Sequence, residues 1–243
     1  MGEYIQEKRL KVRAPISYEE ENEDLYFNKH PLAPKWPFRL LICGSSGSGK
    51  TCLLKCLIEK YLYYDKLFIY AKDLSDPCYQ RLQEIFEELQ NSINLEELGY
   101  PSDFKLSEFS NNIDDIVDIN ELDIAYQNLI VFDDFLTERD QSKFIDFYIR
   151  ARKRNTSVVY LSQSYFDTPK SIRLQSNYFI FFNISNEREM NDIYYDHCLD
   201  VDRKTFKILF KHATKEPFNF FMLDKVNSKL RYRKNLDVIL ISK

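Results

Sequence analysis

The residues with the clearest chemistry lie in one short stretch, Gly-Ser-Ser-Gly-Ser-Gly-Lys-Thr, which holds three of the chain's five glycines. The stretch matches G-x-x-x-x-G-K-[ST], a pattern in which glycines let backbone N–H groups turn inward around phosphate oxygens. We expect the Lys to reach the β- and γ-phosphates and the Thr hydroxyl to bind Mg²⁺. The alternative is an ordinary glycine and serine turn. The predicted phosphate-loop contacts are Gly44, Ser45, Ser46, Gly47, Ser48, Gly49, Lys50, Thr51 and Cys52.

Two adjacent carboxylates follow an apolar run farther along the chain. Asp133 and Asp134 come directly after Leu129–Phe132, which is typical of a buried strand. At such a strand end beside a phosphate loop, Asp133 is placed to bind Mg²⁺ and Asp134 to orient or deprotonate an attacking water. An Asp at this place also caps helices, which is the alternative. The pair favours hydrolysis over simple binding, since Mg²⁺ needs only one carboxylate.

Two further side chains are candidates for catalysis. Gln163 follows the predicted strand Ser157–Leu161, and its amide can donate to a phosphate and accept from water. Arg152 projects from the apolar face of the predicted helix that ends near Lys153. One partner for this arginine is the nucleotide of a neighbouring subunit, reached as an arginine finger. The simpler alternative is a cation that complements the end of a helix.

The elements that must position these residues alternate between strands and helices. This alternation predicts an α/β fold with a central, mostly parallel sheet and helices on both faces. Residues 1–37 are polar and proline-punctuated, and we expect an irregular arm or linker, whereas residues 38–243 form one domain. The expected helices cover 50–62, 77–89, a segment ending near 153, 187–199 and 201–212, with an acidic helical piece after Ile113. The expected strands are Phe38–Cys43, Leu67–Tyr70, 104–109, Leu129–Phe132, Ser157–Leu161, Tyr178–Phe182, Phe218–Leu223 and Leu236–Leu240.

Composition excludes several classes of protein. The chain has 243 residues, 34 basic and 38 acidic side chains and a net charge of −4, so nucleic-acid contact must come from a local basic patch. Its five cysteines are odd in number and show no C-x-x-C spacing, and no secretory signal is visible, which favours a reducing compartment and argues against secretion. No apolar run approaches 18 residues, so we expect no membrane span.

The motifs together resemble a known family. The residues that carry the resemblance are Gly44–Thr51, Leu129–Asp134, Ala151-Arg152-Lys153 and Tyr160–Phe166. They are similar to those of the genome-packaging ATPases of poxviruses, giant viruses and virophages, which belong to the FtsK/HerA superfamily of P-loop ATPases. The resemblance covers roughly residues 37–240, nearly the whole chain.

The resemblance implies a RecA/FtsK-like P-loop fold and a motor that hydrolyses ATP to translocate double-stranded DNA into a preformed capsid. It implies ATP and Mg²⁺ as cofactors, a ring of five or six subunits, capsid vertex proteins as partners, and a location in the host cytoplasm or the virion. By the same resemblance, Lys50 and Thr51 lie at phosphate and Mg²⁺, Asp133 binds Mg²⁺, Asp134 is the catalytic carboxylate and Gln163 is a sensor.

The sequence departs from the family pattern at two places. Many superfamily members carry Glu where this chain has Asp134, and related viral ATPases often have Gly-Arg-His in place of Ala151-Arg152-Lys153. Three alternatives remain open: a cellular or plasmid DNA-transfer ATPase, a nucleotide-dependent switch without translocation, and a small-molecule kinase. A motor's turnover responds to double-stranded DNA and falls with salt, whereas a switch is indifferent to DNA.

Overall fold

In the computed structural model, residues 5–9 and 32–242 are described, and within them the chain forms one ten-stranded mixed sheet. The strands are β1 (Ile5–Arg9), β2 (Arg39–Cys43), β3 (Lys66–Ala71), β4 (Ser107–Ser110), β5 (Asn128–Asp133), β6 (Thr156–Ser162), β7 (Tyr178–Phe181), β8 (Phe221–Asp224), β9 (Tyr232–Lys234) and β10 (Val238–Ser242). Their order across the sheet is β1-β10-β9-β8-β7-β2-β6-β5-β3-β4.

The sheet has a parallel half and an antiparallel half, and β7 joins them. Strands β7, β2, β6, β5, β3 and β4 are parallel neighbours, with Leu41 opposite both Tyr160 and Phe179. From β7 outward through β8, β9, β10 and β1 the pairing is antiparallel. The carboxyl ends of β2, β6 and β5 therefore meet at one edge of the sheet, where ligands bind in folds of this kind.

Helices cover both faces of the sheet, which confirms the predicted α/β class. The helices are α1 (Lys50–Cys56), α2 (Pro77–Ser92), α3 (Ser142–Arg150), α4 (Lys170–Gln175), α5 (Glu187–His197) and α6 (Arg203–Ala213). Leu54 of α1 and Leu82 of α2 belong to the same buried core as Ile42 on one face, whereas Phe147 of α3 and Phe206 of α6 belong to the core that contains Leu41 on the other. Successive strand residues point to opposite faces, so each central strand contributes to both cores.

Several helix boundaries follow from local chemistry. Helix α2 is capped by Asp76, whose carboxylate accepts from the Cys78 N–H at 2.8 Å, and Pro77 opens the helix. This helix continues to Ser92, three residues past the predicted end. The first helix continues past α1 as a π-helix over Leu57–Tyr61, and α3 continues as a 3₁₀ turn over Ala151–Arg154.

The sequence interpretation is wrong at several places, and helix α4 (Lys170–Gln175) was not predicted. Residues 5–9 are not irregular, because β1 pairs with β10 along its whole length. The acidic piece after Ile113 is a single 3₁₀ turn, Ile113–Asp115. Strand β8 starts at Phe221 rather than Phe218, and β9 was not expected as a strand. Short antiparallel strands draw their stability from neighbours distant in sequence, so local patterning predicts them poorly. The rest of the predicted arm up to residue 31, which includes the acidic segment Glu19–Asp24, lies outside the described residues.

Candidate active site

The phosphate loop connects the end of β2 to the start of α1 in the expected strand-turn-helix context. Gly47 and Gly49 have φ angles of 73° and 97°, which other L-residues adopt only with strain. Gly44 is required for a different reason: a Cβ there would lie 2.6 Å from Ser48 Oγ and 2.8 Å from Phe182 Cβ. The loop geometry thus depends on glycine at each of the three positions.

Lys50 is the buried cation of this loop. Its Nζ donates to the carbonyl oxygens of Gly44 at 2.7 Å and Ser45 at 3.0 Å, which holds the ammonium over the loop. Burial lowers the pKa of Lys50, while the negative charges of Asp133 and Asp134 oppose that effect. The loop therefore presents a positive charge held by hydrogen bonds to neutral carbonyl groups, and phosphate oxygens can take over those bonds.

Asp133 lies at the end of β5, facing α2. The buried Tyr79 hydroxyl donates to Asp133 Oδ2 at 2.6 Å and fixes the orientation of the carboxylate. Burial raises the pKa of Asp133 to about 6, against the lowering effects of the Tyr79 hydrogen bond and of Lys50. Thr51 lines the same cleft. The two residues predicted to bind Mg²⁺ thus line one cleft.

The raised pKa of Asp133 predicts a gain in stability when its charge is removed. The folded chain binds a proton on the Asp133 carboxylate more tightly than the unfolded chain does. The free energy of unfolding therefore falls as pH rises from about 4 to about 6, and it stays lower above pH 6. Asp133→Asn keeps an acceptor for Tyr79 and is expected to stabilise the nucleotide-free protein by about 1–3 kcal/mol at pH 8. Urea denaturation at pH 8 and at pH 4 measures the effect.

The gain should shrink toward pH 4, where the wild-type carboxyl is protonated. Asp103→Asn, a change at an exposed carboxylate, is the matched control and should alter stability little at either pH. A loss of stability at pH 8 in Asp133→Asn would contradict the burial argument, because the carboxylate would then contribute favourably to the fold.

Asp134 and Gln163 meet at the ends of adjacent strands. Strands β5 and β6 pair in parallel with Asp133 opposite Leu161, so the residues that follow each strand emerge side by side. Gln163 Nε2 donates to Asp134 Oδ1 at 3.1 Å, and both side chains are exposed to the cleft. Asp134 has φ 62°, a left-handed conformation that turns the chain away from the strand direction. The contact links a carboxylate to an amide that can also hold a water or a phosphate oxygen.

These groups line one cleft of about 390 Å³ above the sheet edge. Sequence reasoning missed five of its side chains: Lys72, Asp73, Asp76, Tyr79 and Phe218. Four of them follow β3, whose pairing with β5 brings its carboxyl end to the same edge. The sequence contained a clue to the four residues after β3, since Asp76 and Pro77 mark a helix start directly after a predicted strand. Phe218 is distant in sequence and carried no such signal.

The structure does not bring Arg152 to this cleft within one chain. Arg152 lies in the 3₁₀ turn before β6, at the end of the sheet opposite the phosphate loop. It is exposed. Burial lowers the pKa of Arg39, at the start of β2, and the charge of Arg152 lowers it further. A role for Arg152 in catalysis therefore requires the nucleotide of a second copy.

The residues present fit a nucleotide with Mg²⁺. Among the residues described, the Ser48 hydroxyl oxygen is buried with no hydrogen-bond partner, and it lies in the loop that would surround the phosphates. Within 5–9 and 32–242, no group of three or more His, Cys, Asp or Glu side chains is placed to hold a metal. Thr51 and Asp133 alone would give an incomplete shell, and Mg²⁺ usually takes its remaining ligands from phosphates and waters.

Solved structures share this fold. The packaging NTPase B204 of Sulfolobus turreted icosahedral virus 2, solved with ATP-gammaS, superposes with a TM-score of 0.54 at 12% identity, covering 84% of this chain and 96% of that one. The same protein solved with AMP gives a TM-score of 0.53 at 13% identity and the same coverage. Likeness at such low identity shows the fold: a P-loop NTPase with a mostly parallel sheet.

Relatives in sequence come from poxviruses. The "DNA packaging protein OPG160" of Variola virus and that of Vaccinia virus are each 29% identical to this chain over 158 residues, 62% of the chain. The chain spans 55% of the length of these relatives. In the part of the chain that the structure describes, no helix is long and apolar enough to cross a membrane. A sequence model of the "Poxvirus A32 protein" family matches residues 25–231, so the chain belongs to the poxvirus A32 protein family.

Proposed function

We propose that this protein is an ATP-hydrolysing motor that translocates double-stranded DNA into a viral capsid. The observation that carries the proposal is the convergence of Lys50, Asp133 and the Asp134–Gln163 pair on one cleft, in a chain of the A32 family. The relatives are named for DNA packaging, and a structural neighbour was solved with an ATP analogue. A plain nucleotide switch needs the loop and one carboxylate, but not a second carboxylate paired with an amide.

The geometry supports hydrolysis with water as the acceptor. The loop and Lys50 would hold the β- and γ-phosphates, and Mg²⁺ bound by Thr51 and Asp133 would neutralise charge on them. Asp134 would accept a proton from the water whose oxygen attacks the γ-phosphorus, while Gln163 fixes the carboxylate and the water. The bond from the γ-phosphorus to the bridging oxygen breaks, which leaves ADP and inorganic phosphate.

Local basic surface supports a DNA partner in a chain of net charge −4. Helix α6 carries Arg203, Lys204, Lys207 and Lys211 without an acidic residue. Several other basic residues are already used by the fold: Arg231 pairs with Asp200 at 3.0 Å, and the buried Arg233 pairs with Asp224 at 3.5 Å. On α6, Lys207 is half-buried and pairs with Glu187, so the exposed Arg203 and Lys211 are better candidates than Arg231 and Arg233 for contact with phosphates of DNA.

The proposal is tested by ATP turnover with and without double-stranded DNA over a series of salt concentrations. We expect DNA to raise turnover and the effect to decline steeply with salt, since phosphate contacts release counterions. Turnover that is indifferent to DNA would favour the nucleotide switch. Release of phosphate with no acceptor present would exclude the small-molecule kinase. The mass of the assembly, measured in the same buffers, tests whether five or six subunits form a ring.

Arg152→Ala tests the proposed action of this arginine on a neighbouring subunit's nucleotide. Because each active site in a ring would draw one arginine from the next copy, a mutant subunit disables a neighbour and interrupts coordinated turnover. Mixing mutant and wild-type subunits is expected to reduce DNA-stimulated ATP turnover more steeply than the mutant fraction. Lys153→Ala, at the adjacent exposed position, is the matched control. A loss strictly proportional to the mutant fraction would argue against action in trans.

A further inference from the structure

An exposed aromatic ring stands beside the phosphate loop in a strained backbone conformation. Phe218, in the connection between α6 and β8, is 71% exposed and has φ 64°. The left-handed region is unfavourable for a bulky L-residue, and burial of the ring does not compensate for it here. Strain of this kind persists where surrounding structure imposes it, and it concentrates at sites that clamp ligands.

The surrounding structure does impose this conformation. Asn235, in the connection between β9 and β10, donates from Nδ2 to Asn219 Oδ1 at 3.0 Å and accepts the Phe220 N–H at 3.1 Å. Its own N–H donates to the Phe220 carbonyl at 2.9 Å, and Asn235 also has a positive φ, 55°. Three hydrogen bonds from one residue thus hold the two positions that follow Phe218. The backbone next to the exposed ring is therefore held by a distant part of the chain.

The ring lies against the phosphate loop itself. Phe218 Cδ1 is 3.1 Å from the position that a Cβ on Gly49 would occupy. Phe218 borders both the 390 Å³ cleft and a neighbouring cleft of about 540 Å³, which Gly47, Phe182 and Asn183 also line. It therefore stands at the boundary between the space for phosphates and a second, adjoining space.

The order of the strands gives a bound nucleotide a direction. Asp133, Asp134 and Gln163 follow β5 and β6, so the γ-phosphate end lies on that side of β2. Strands β7 and β8 lie on the other side of β2. Phe218 lies just before β8, which starts at Phe221. A nucleotide whose γ-phosphate faces the carboxylates would therefore extend its base toward Phe218.

We propose that Phe218 stacks on the base of the bound nucleotide, with the base and ribose directed into the adjoining 540 Å³ cleft. The proposal rests on the nucleotide binding proposed above and adds a residue that positions the base. Stacking on an aromatic ring accepts any base, because every base has a π-face. Phe218 therefore strengthens binding of nucleotides in general, without selecting ATP over GTP.

The test compares ligands with and without a base. Phe218→Ala is expected to weaken ATP binding by about tenfold, as measured by calorimetry with Mg²⁺, and to leave binding of inorganic tripolyphosphate unchanged. Phe218→Trp should retain ATP affinity, and its added indole fluorescence should be quenched by ATP but not by tripolyphosphate. Tyr195→Ala, another exposed aromatic position, is the control and should alter neither affinity.

Phe218→Gly separates a role in binding from a role in folding. Glycine adopts φ 64° without strain, so its Tm should equal or exceed that of the wild type while ATP binding weakens as in Phe218→Ala. If a Phe218 variant lost affinity for ATP and for tripolyphosphate equally, the proposal would be overturned, because the ring would then support the phosphate loop and not the base. Unchanged ATP affinity in Phe218→Ala would overturn it as well. ATP binding without any response to DNA would overturn translocation alone and leave the Phe218 result standing.

Discussion

Lys50→Ala is expected to reduce ATP hydrolysis by at least about 10²-fold and to weaken binding of both ATP and tripolyphosphate. The wild-type ammonium is held 2.7 Å from the Gly44 carbonyl, inside the loop that would surround the β- and γ-phosphates. Alanine removes the charge that opposes the negative charge developing on the transferred group. Steady-state turnover and direct titration of each ligand measure the two effects separately.

The fold should tolerate this change. Burial already disfavours the charged form of Lys50, so its removal is not expected to lower Tm greatly. Lys60→Ala, at an exposed position ten residues along the same helical segment, is the matched control and should leave turnover unchanged. Turnover at the wild-type rate in Lys50→Ala would show that the phosphate loop does not serve the active site.

Asp134→Asn is expected to bind ATP with Mg²⁺ normally but to turn over about 10²- to 10⁴-fold more slowly. The amide has nearly the shape of the carboxylate, and it loses the negative charge that accepts a proton from water. Asp133 and Thr51, which would hold Mg²⁺, are unchanged in the variant. A single-turnover measurement of phosphate release isolates the chemical step from product release.

A double-mutant cycle links this carboxylate to its partner. Because Gln163 Nε2 donates to Asp134 Oδ1 at 3.1 Å, Gln163→Ala and Asp134→Asn should be non-additive in turnover. Asp134→Glu is an informative second variant, since the longer side chain keeps the charge but must shift to keep the Gln163 contact. Wild-type turnover in Asp134→Asn would assign proton acceptance to another group.

The local parts of the site were predictable because they are contiguous in sequence. The phosphate loop and the Asp133–Asp134 pair each combine an apolar strand with its terminal residues, so composition and spacing carry the information. The register between β5 and β6 was not readable from either segment alone, although the Asp134–Gln163 contact depends on it. Parallel pairing between distant strands is set by packing of both faces, which single-sequence patterns do not encode.

Two residues show the limit of sequence reasoning in opposite ways. Arg152 was expected to project from the helix toward a partner, and the fold places it at the far end of the sheet from its own phosphate loop. Nothing in the sequence distinguishes Tyr79 among the 17 tyrosines, yet its hydroxyl donates a hydrogen bond of 2.6 Å to Asp133. The α2 helix positions Tyr79, and helical spacing alone gives no indication of which buried hydroxyl meets a carboxylate.

The α/β class, the phosphate loop and the carboxylate pair can be read from the amino-acid sequence, because each depends on patterns within short segments. Three of the five glycines are concentrated in that loop because positive φ and close packing leave no other residue type for it. Only the tertiary structure placed Gln163 against Asp134, Tyr79 against Asp133 and Phe218 beside Gly49. Those contacts join segments far apart in the chain, and their geometry is set by sheet order and by packing on its two faces.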